Sequence, residues 1–164
     1  MRTFLTWLIL GVLGLALALL AAGRLGLLSG TRPADLGVRD GRLKPPSATP
    51  NSVSSQAALY PDHPMRAYAT VEPLPMKGDA RATIGALRTL LQGMPGAVLV
   101  TQRDDYLHVE FSTALLRFVD DAEFWVDPAA GVVQVRSASR LGRKDFGVNR
   151  ERLEAIRARW RAGG

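Results

Sequence analysis

From Phe4 to Ala22 the chain carries no charged residue, and Thr6 is its one conventional polar side chain. A helix of about 20 apolar residues matches a hydrocarbon core of about 30 Å. As a helix, the run satisfies its backbone N–H and C=O groups internally, which lipid requires. Arg2 precedes the run, Arg24 closes it, and Trp7 falls where an interfacial aromatic sits. The pattern predicts a membrane anchor over residues 1–24, with 4–22 in contact with lipid. The rival is a cleaved signal peptide, for which Ala16-Leu17-Ala18 offers small residues at suitable spacing. The apolar run continues past that site and exceeds the usual core of about 7–15 residues, which favours an uncleaved single-pass anchor. Basic residues at both ends give little positive-inside contrast. A short basic tail ahead of an apolar run is the layout of a signal-anchor, which places the following domain outside the cytoplasm.

The pattern then changes. Residues 25–65 read as a connector rich in Gly, Pro and Ser, with Asp40-Gly41 as a turn and prolines from Pro33 to Pro64 forbidding a long helix. Leu36, Val38, Leu43, Val53, Leu59 and Tyr60 are more apolar than a free tether needs, so parts of it are expected to pack along the domain. Ile84, Leu87, Leu90, Leu91 and Met94 recur at helical spacing. Asp79 is placed to cap that helix, and Gly93 with Pro95-Gly96 ends it. Strand signals follow over Ala97–Thr101, Tyr106–Ser112, Leu116–Val126 and from Val132, joined by short turns. In Tyr106–Ser112, apolar Leu107, Val109 and Phe111 alternate with Tyr106, His108, Glu110 and Ser112, as in a half-buried strand. A last helix is predicted from about Arg150, with Asn149 as its N-cap and Val148 and Leu153 as a hydrophobic staple. Leu153, Ile156 and Trp160 form its buried stripe, and Glu154 can pair with Arg157. The order predicts one α+β domain over 66–164, an antiparallel sheet with two helices on one face.

At 164 residues there is room for one modest domain beside the apolar segment. The formal charge is +6, and all of the surplus lies from Arg136 onward, where nine basic residues meet three acidic ones. Such a segment suits an anionic lipid surface, an acidic partner or phosphates, or is simply one solvated helix face. There is no cysteine, which excludes disulfides, thiol catalysis, thiolate metal sites and lipid attachment through an N-terminal Cys.

The strongest local feature is Phe118-Val119-Asp120-Asp121-Ala122-Glu123-Phe124-Trp125, three carboxylates in an otherwise apolar strand. Alternation puts Asp121 and Glu123 on one face with Trp125, and Asp120 opposite with Phe124. Two carboxylates on one face can share a proton or bind a hard cation. Beside the basic stretch Arg136–Arg140 they more often make structural ion pairs. His63 and His108 are the only histidines, too few for a histidine-rich metal site, and no metal is expected. Ser137 or Ser139 with His108 and Asp121 supplies the residue types of a hydrolytic triad, without a nucleophile-elbow motif around either serine. Asp121, Glu123 and His108 are therefore the weak catalytic candidates, for a hydrolase-type reaction. Phosphate-binding glycine loops and dinucleotide fingerprints are absent from the sequence, so no cofactor is expected. The basic C-terminal helix lacks interleaved aromatics, and no nucleic acid is expected.

Several blocks together resemble the uncharacterised bacterial domain-of-unknown-function family numbered 1499. They include Leu36-Gly37-Val38 with Asp40-Gly41, Pro50-Asn51 with Val53-Ser54-Ser55-Gln56, and Phe118–Phe124. Arg136-Ser137-Ala138-Ser139-Arg140 and Asp145-Phe146-Gly147-Val148-Asn149-Arg150 are the most specific. The resemblance runs from about Leu36 to the C-terminus. It implies a membrane-anchored protein and names no activity. The family usually has two cysteines flanking the Pro-Asn pair, where this chain has Pro46 and Ser52, so no redox or metal role carries over. Loop glycines and a helix N-terminus can present N–H groups to an anion. Arg136, Arg140, Asn149 and Arg150 are accordingly the candidate anion-binding residues, unless Arg140 and Arg150 clamp Asp120 or Asp121 across the sheet. The leading expectation is a membrane-tethered envelope module that binds a partner protein or a small anionic ligand without chemistry. The alternatives are the hydrolase and a lipid-surface binder acting through the basic C-terminal helix.

Overall fold

The computed structural model describes residues 1–163; Gly164, the end of the predicted domain, lies outside the described residues. The apolar run folds as α1 (Arg2–Arg24), with its side chains exposed along almost its whole length. Six strands make one open antiparallel sheet: β1 (Ser52–Ser54), β2 (Leu74–Pro75), β3 (Ala97–Gln102), β4 (Tyr106–Ser112), β5 (Val119–Asp127) and β6 (Val132–Ser139). The order is β1-β6-β5-β4-β3, and β2 also pairs with β6. Two short strands therefore cover successive parts of one edge of β6, which leaves little unpaired backbone there. The helices are a single turn, α2 (Arg66–Ala69), then α3 (Ala80–Gln92) and α4 (Val148–Ala162). The fold is α+β.

The sheet has two unlike faces, set by the parity of its residues. Leu107, Val109 and Phe111 of β4, Ala122, Phe124 and Val126 of β5, and Val133 and Val135 of β6 line one face and are buried. Ile84, Leu87 and Leu91 of α3 and Leu153, Ile156 and Trp160 of α4 pack on it. Each such side chain contributes about 1.5–3 kcal/mol by leaving water. Asp79 Oδ1 accepts from the Ala82 N–H at 2.8 Å, and Gly93 ends α3, as the sequence predicts.

The start of α4 differs from the sequence reading. It begins at Val148, after Gly147 at φ +90°, and Asn149 lies inside it, fully buried. The capping is done by Asp145, whose carboxylate accepts from the Gly147 and Asn149 N–H groups at 3.1 and 3.2 Å. Val148 is exposed and makes no staple. An Asp two residues ahead of a left-handed Gly reaches the N–H groups at the true start of the helix, upstream of the Glu151 and Arg152 donors that a cap at Asn149 would have taken.

The stretch read as a connector supplies β1. Leu43, Val53 and Ala57 are buried, and Ser52, Val53 and Ser54 pair with Ala138, Ser137 and Arg136. Upstream of β1, residues 31–47 form a strap across the second, polar face of the sheet. The Gly37 N–H donates to Glu123 Oε1 at 2.7 Å, the Leu43 N–H to Gln56 Oε1 at 2.8 Å, and the Ser47 N–H to Ser52 Oγ at 2.7 Å.

Candidate functional site

Parity places Tyr106, His108 and Glu110 of β4, Asp121 and Glu123 of β5, and Arg136 of β6 together under the strap. Arg140, just past β6, folds over the same face. Its Nε donates to Asp121 Oδ2 at 2.8 Å, and its Nη2 donates to Asp121 Oδ1 at 2.7 Å and also to Glu110. His108 Nε2 meets the same Asp121 Oδ1 at 2.7 Å. Burial alone would raise the Asp121 carboxyl. The bonds from Arg140 and His108 override it and hold Asp121 below the usual carboxylate range. Glu110 is likewise held low against burial, by Arg32 and Arg140. Arg140 itself is raised, first by its bond to Asp121.

Glu123 is wholly buried and is satisfied by three donors: Tyr106 Oη at 2.8 Å, the Gly37 N–H, and Arg136 Nη1 at a long 3.4 Å. Burial, with Glu123 alongside, pushes the Tyr106 phenol far above its ordinary value. Arg136 is less well served. It is 3% exposed, its one side-chain contact is the long one to Glu123, and its buried Nε has no hydrogen-bond partner among the described residues. Burial pulls its guanidinium below its ordinary value despite Glu123. A buried donor left unpaired costs about 1–3 kcal/mol, more when charged.

Beside Arg136 a cleft of about 170 Å³ opens between the strap and the sheet. Arg136, Arg140 and Lys44 line it against one carboxylate, Asp121, together with hydroxyl-bearing Thr31, Ser47 and Ser139. Lys44 is held at the strap by Asp35, at 2.7 Å.

The seven residues singled out as site candidates do not converge. Asp121, Glu123, His108, Arg136 and Arg140 share the strap face. Asn149 and Arg150 lie on the far side of the sheet. Asn149 accepts from Ser137 Oγ at 2.6 Å and donates to Ser139 Oγ at 3.0 Å, and Arg150 donates to the Tyr68 and Thr70 carbonyls. Of the clamping alternative, Arg140 does hold Asp121, whereas Asp120 is held by Arg152 at 2.6 Å rather than by Arg150. Ser137 pairs with Ala122 on the apolar face and His108 with Glu123 on the polar one, so the sheet separates that serine from the histidine, while Ser139 reaches the edge of the cleft with its Oγ engaged by Asn149 and His108 engaged by Asp121. His108, Glu110 and Asp121 offer ligand atoms within 4.8 Å of one another. Both of those carboxylates are bonded by the Arg140 guanidinium.

A family model described as a protein of unknown function (DUF1499) matches residues 42–159. The chain belongs to that family. No curated protein and no solved structure matches the chain. The strap residues that close the DUF1499 sheet face, such as Gly37, lie just ahead of the matched segment, while Lys44 and Ser47 fall inside it. Reading the sequence missed Lys44, Ser47 and Thr31 as lining residues. Nothing local marks them, because their role comes from a strap folding back over strands some 80 residues later. The parity of Arg136 and Arg140 against Ser137 and Ser139 was a usable signal that the two arginines share one face and the serines the other.

Proposed function

We propose that this chain is a single-pass, membrane-tethered module that binds a small anionic ligand under its strap and performs no chemistry on it. The observation that carries the reading is Arg136: a buried guanidinium with one long ion-pair contact and an unpartnered Nε, lining a cleft with Lys44 and Arg140. A charge-assisted bond to an incoming carboxylate or phosphate oxygen satisfies that donor. The cleft has the volume of several waters, at about 30 Å³ each, which limits the ligand to one compact anionic group. The non-catalytic part rests on Asp121, whose charge is committed to Arg140 and His108 and whose lowered pKa makes it a weak base. The tether part rests on α1, an apolar helix of 23 residues with no charged side chain between Arg2 and Arg24. By the signal-anchor layout the domain lies outside the cytoplasm, in the envelope of a bacterium.

The test is thermal unfolding of the full chain in detergent with inorganic phosphate, then with succinate. The melting temperature is expected to rise saturably with one of them, as binding to the folded state requires; at 100 times Kd the gain is about 2.7 kcal/mol. The double variant Arg136→Gln with Glu123→Gln removes both buried charges together, and is expected to fold but lose the rise. A wild-type chain whose melting temperature ignores both anions contradicts the reading.

A further inference from the structure

Phe146 is 87% exposed, the highest of the large apolar side chains beyond Met1, yet its backbone is held at φ +54°. A bulky aromatic in the left-handed region is strained, and such strain persists only where the surroundings fix it. Here Asp145 fixes it. Its main-chain carbonyl accepts from the Val148 N–H at 3.1 Å, its carboxylate accepts from the Gly147 and Asn149 N–H groups, and Tyr68 Oη also donates to it. The loop is hydrogen-bonded on both sides of a ring that is mostly exposed.

The ring is not alone. Phe118, Leu141 and Val148 border an apolar groove of about 320 Å³ beside Phe146, and Leu115, at the tip of the β4–β5 loop that carries Phe118, is 69% exposed. Arg117, Arg143 and Lys144 stand exposed among them, without an ion pair among the described residues. The neighbouring carboxylates are already committed, Asp120 to Arg152 and Asp145 to Tyr68 and the α4 amides.

The position of this corner decides what it meets. At Gly23, near the end of α1, an added Cβ would lie 2.6 Å from the Leu116 carbonyl oxygen, so the helix end abuts the β4–β5 loop. At Gly30 a Cβ would lie 2.8 Å from the Arg140 Cβ and 3.0 Å from Leu141. The apolar helix thus leaves the domain at the same corner that carries Phe146, Leu115 and the unpaired cations. Arg24, Leu25 and Leu27, all exposed, continue that surface.

We infer that this corner is a second membrane contact, in which Phe146 and Leu115 enter the interface of an anionic leaflet while Arg117, Arg143 and Lys144 meet its headgroups. The inference rests on the reading of α1 as a membrane span. Apolar tips ringed by basic side chains are what an interfacial surface needs, and each basic residue near an anionic leaflet adds to the attraction. The contact uses these loop tips rather than α4, whose Arg150, Arg152 and Arg157 are tied to carbonyls, Asp120 and Glu154. It also fixes the orientation of the strap and its cleft relative to the bilayer.

The chain has no cysteine, so single cysteines can carry an environment-sensitive fluorophore. The full chain is reconstituted in phosphatidylcholine vesicles containing phosphatidylglycerol, labelled in turn at L13C, F146C and A129C. Ala129 lies in the turn at the far end of β5, a strand of nine residues and about 30 Å. The expected result is that iodide fails to quench the labels at 13 and 146, spin-labelled lipid quenches both several-fold, and the label at 129 stays open to iodide. Reversing charge with Arg117→Glu and Lys144→Glu is expected to return the label at 146 to water and leave that at 13 in lipid. A label at 146 open to iodide while that at 13 is shielded overturns the inference, keeps the tether, and gives the corner to a protein partner. A label at 13 open to iodide overturns the tether itself, and the inference with it.

Discussion

Arg140 is the residue on which the polar face turns. Its guanidinium holds Asp121 through two bonds and reaches Glu110, and all three groups are largely shielded from water. Removing one partner of a buried pair leaves an uncompensated charge, so Arg140→Leu is expected to cost about 3–5 kcal/mol in urea denaturation. This network and the separate Asp145 cap of α4 set the acid response. Asp121, Glu110 and Asp145 are more acidic folded than unfolded, where such carboxyls titrate near about 4. Their contribution is complete above that value and is lost as pH falls through the lower folded ones. Tyr106 and Tyr68 act in the opposite sense: their phenols are raised, so their contribution holds below about pH 10 and is lost as pH rises beyond it. The melting temperature is expected to be level between these limits and to fall on both flanks, with the acid flank shallower in the Arg140→Leu chain. An acid flank unchanged by that substitution would mean that Arg140 does not hold the carboxylates down.

At the scale of elements, the loop before α4 separates structural from non-structural roles. Phe146→Gly relieves about 1–2 kcal/mol of left-handed strain and gives back somewhat less in unfolded-state entropy. Stability is expected to change by less than about 1 kcal/mol, whereas deleting a buried Phe costs about 3–5. A large loss on urea denaturation would make the ring part of the core. The long periodic elements were legible in the sequence because their signals are local: the α3 stripe with its Asp79 cap, the alternation in β4, and the opposite faces of Asp120 and Asp121. β1, β2 and α2 were not, since three strand residues gain meaning only through β6, some 60 to 85 positions away. The basic stretch was legible as charge but not as geometry. Arg136 and Arg140 share parity and the polar face, while Asn149 lies beyond two turns on the other side of the sheet. The strap carried turn signals and scattered apolar residues, and neither says which face it covers.

The whole molecule reads as an apolar helix, a strap continuous with it, and a two-faced sheet whose charged side the strap closes. For the proposed signal-anchor orientation, a C-terminal tag is expected to be cleaved by protease added to intact cells with a permeabilised outer layer, and protection would place the domain in the cytoplasm. The proposed anion enters between strap and sheet beside Arg136. A ligand there ties the two together, so it acts on the amides that hold the strap down. Hydrogen exchange of the full chain, with and without the anion that raises its melting temperature, reads those amides directly. Exchange is expected to slow at residues 31–47, at the Gly37 and Ser47 N–H groups above all, while α3 and the β5–β6 turn are unchanged. Slowing spread evenly over the domain, or none in the strap, would contradict the proposal.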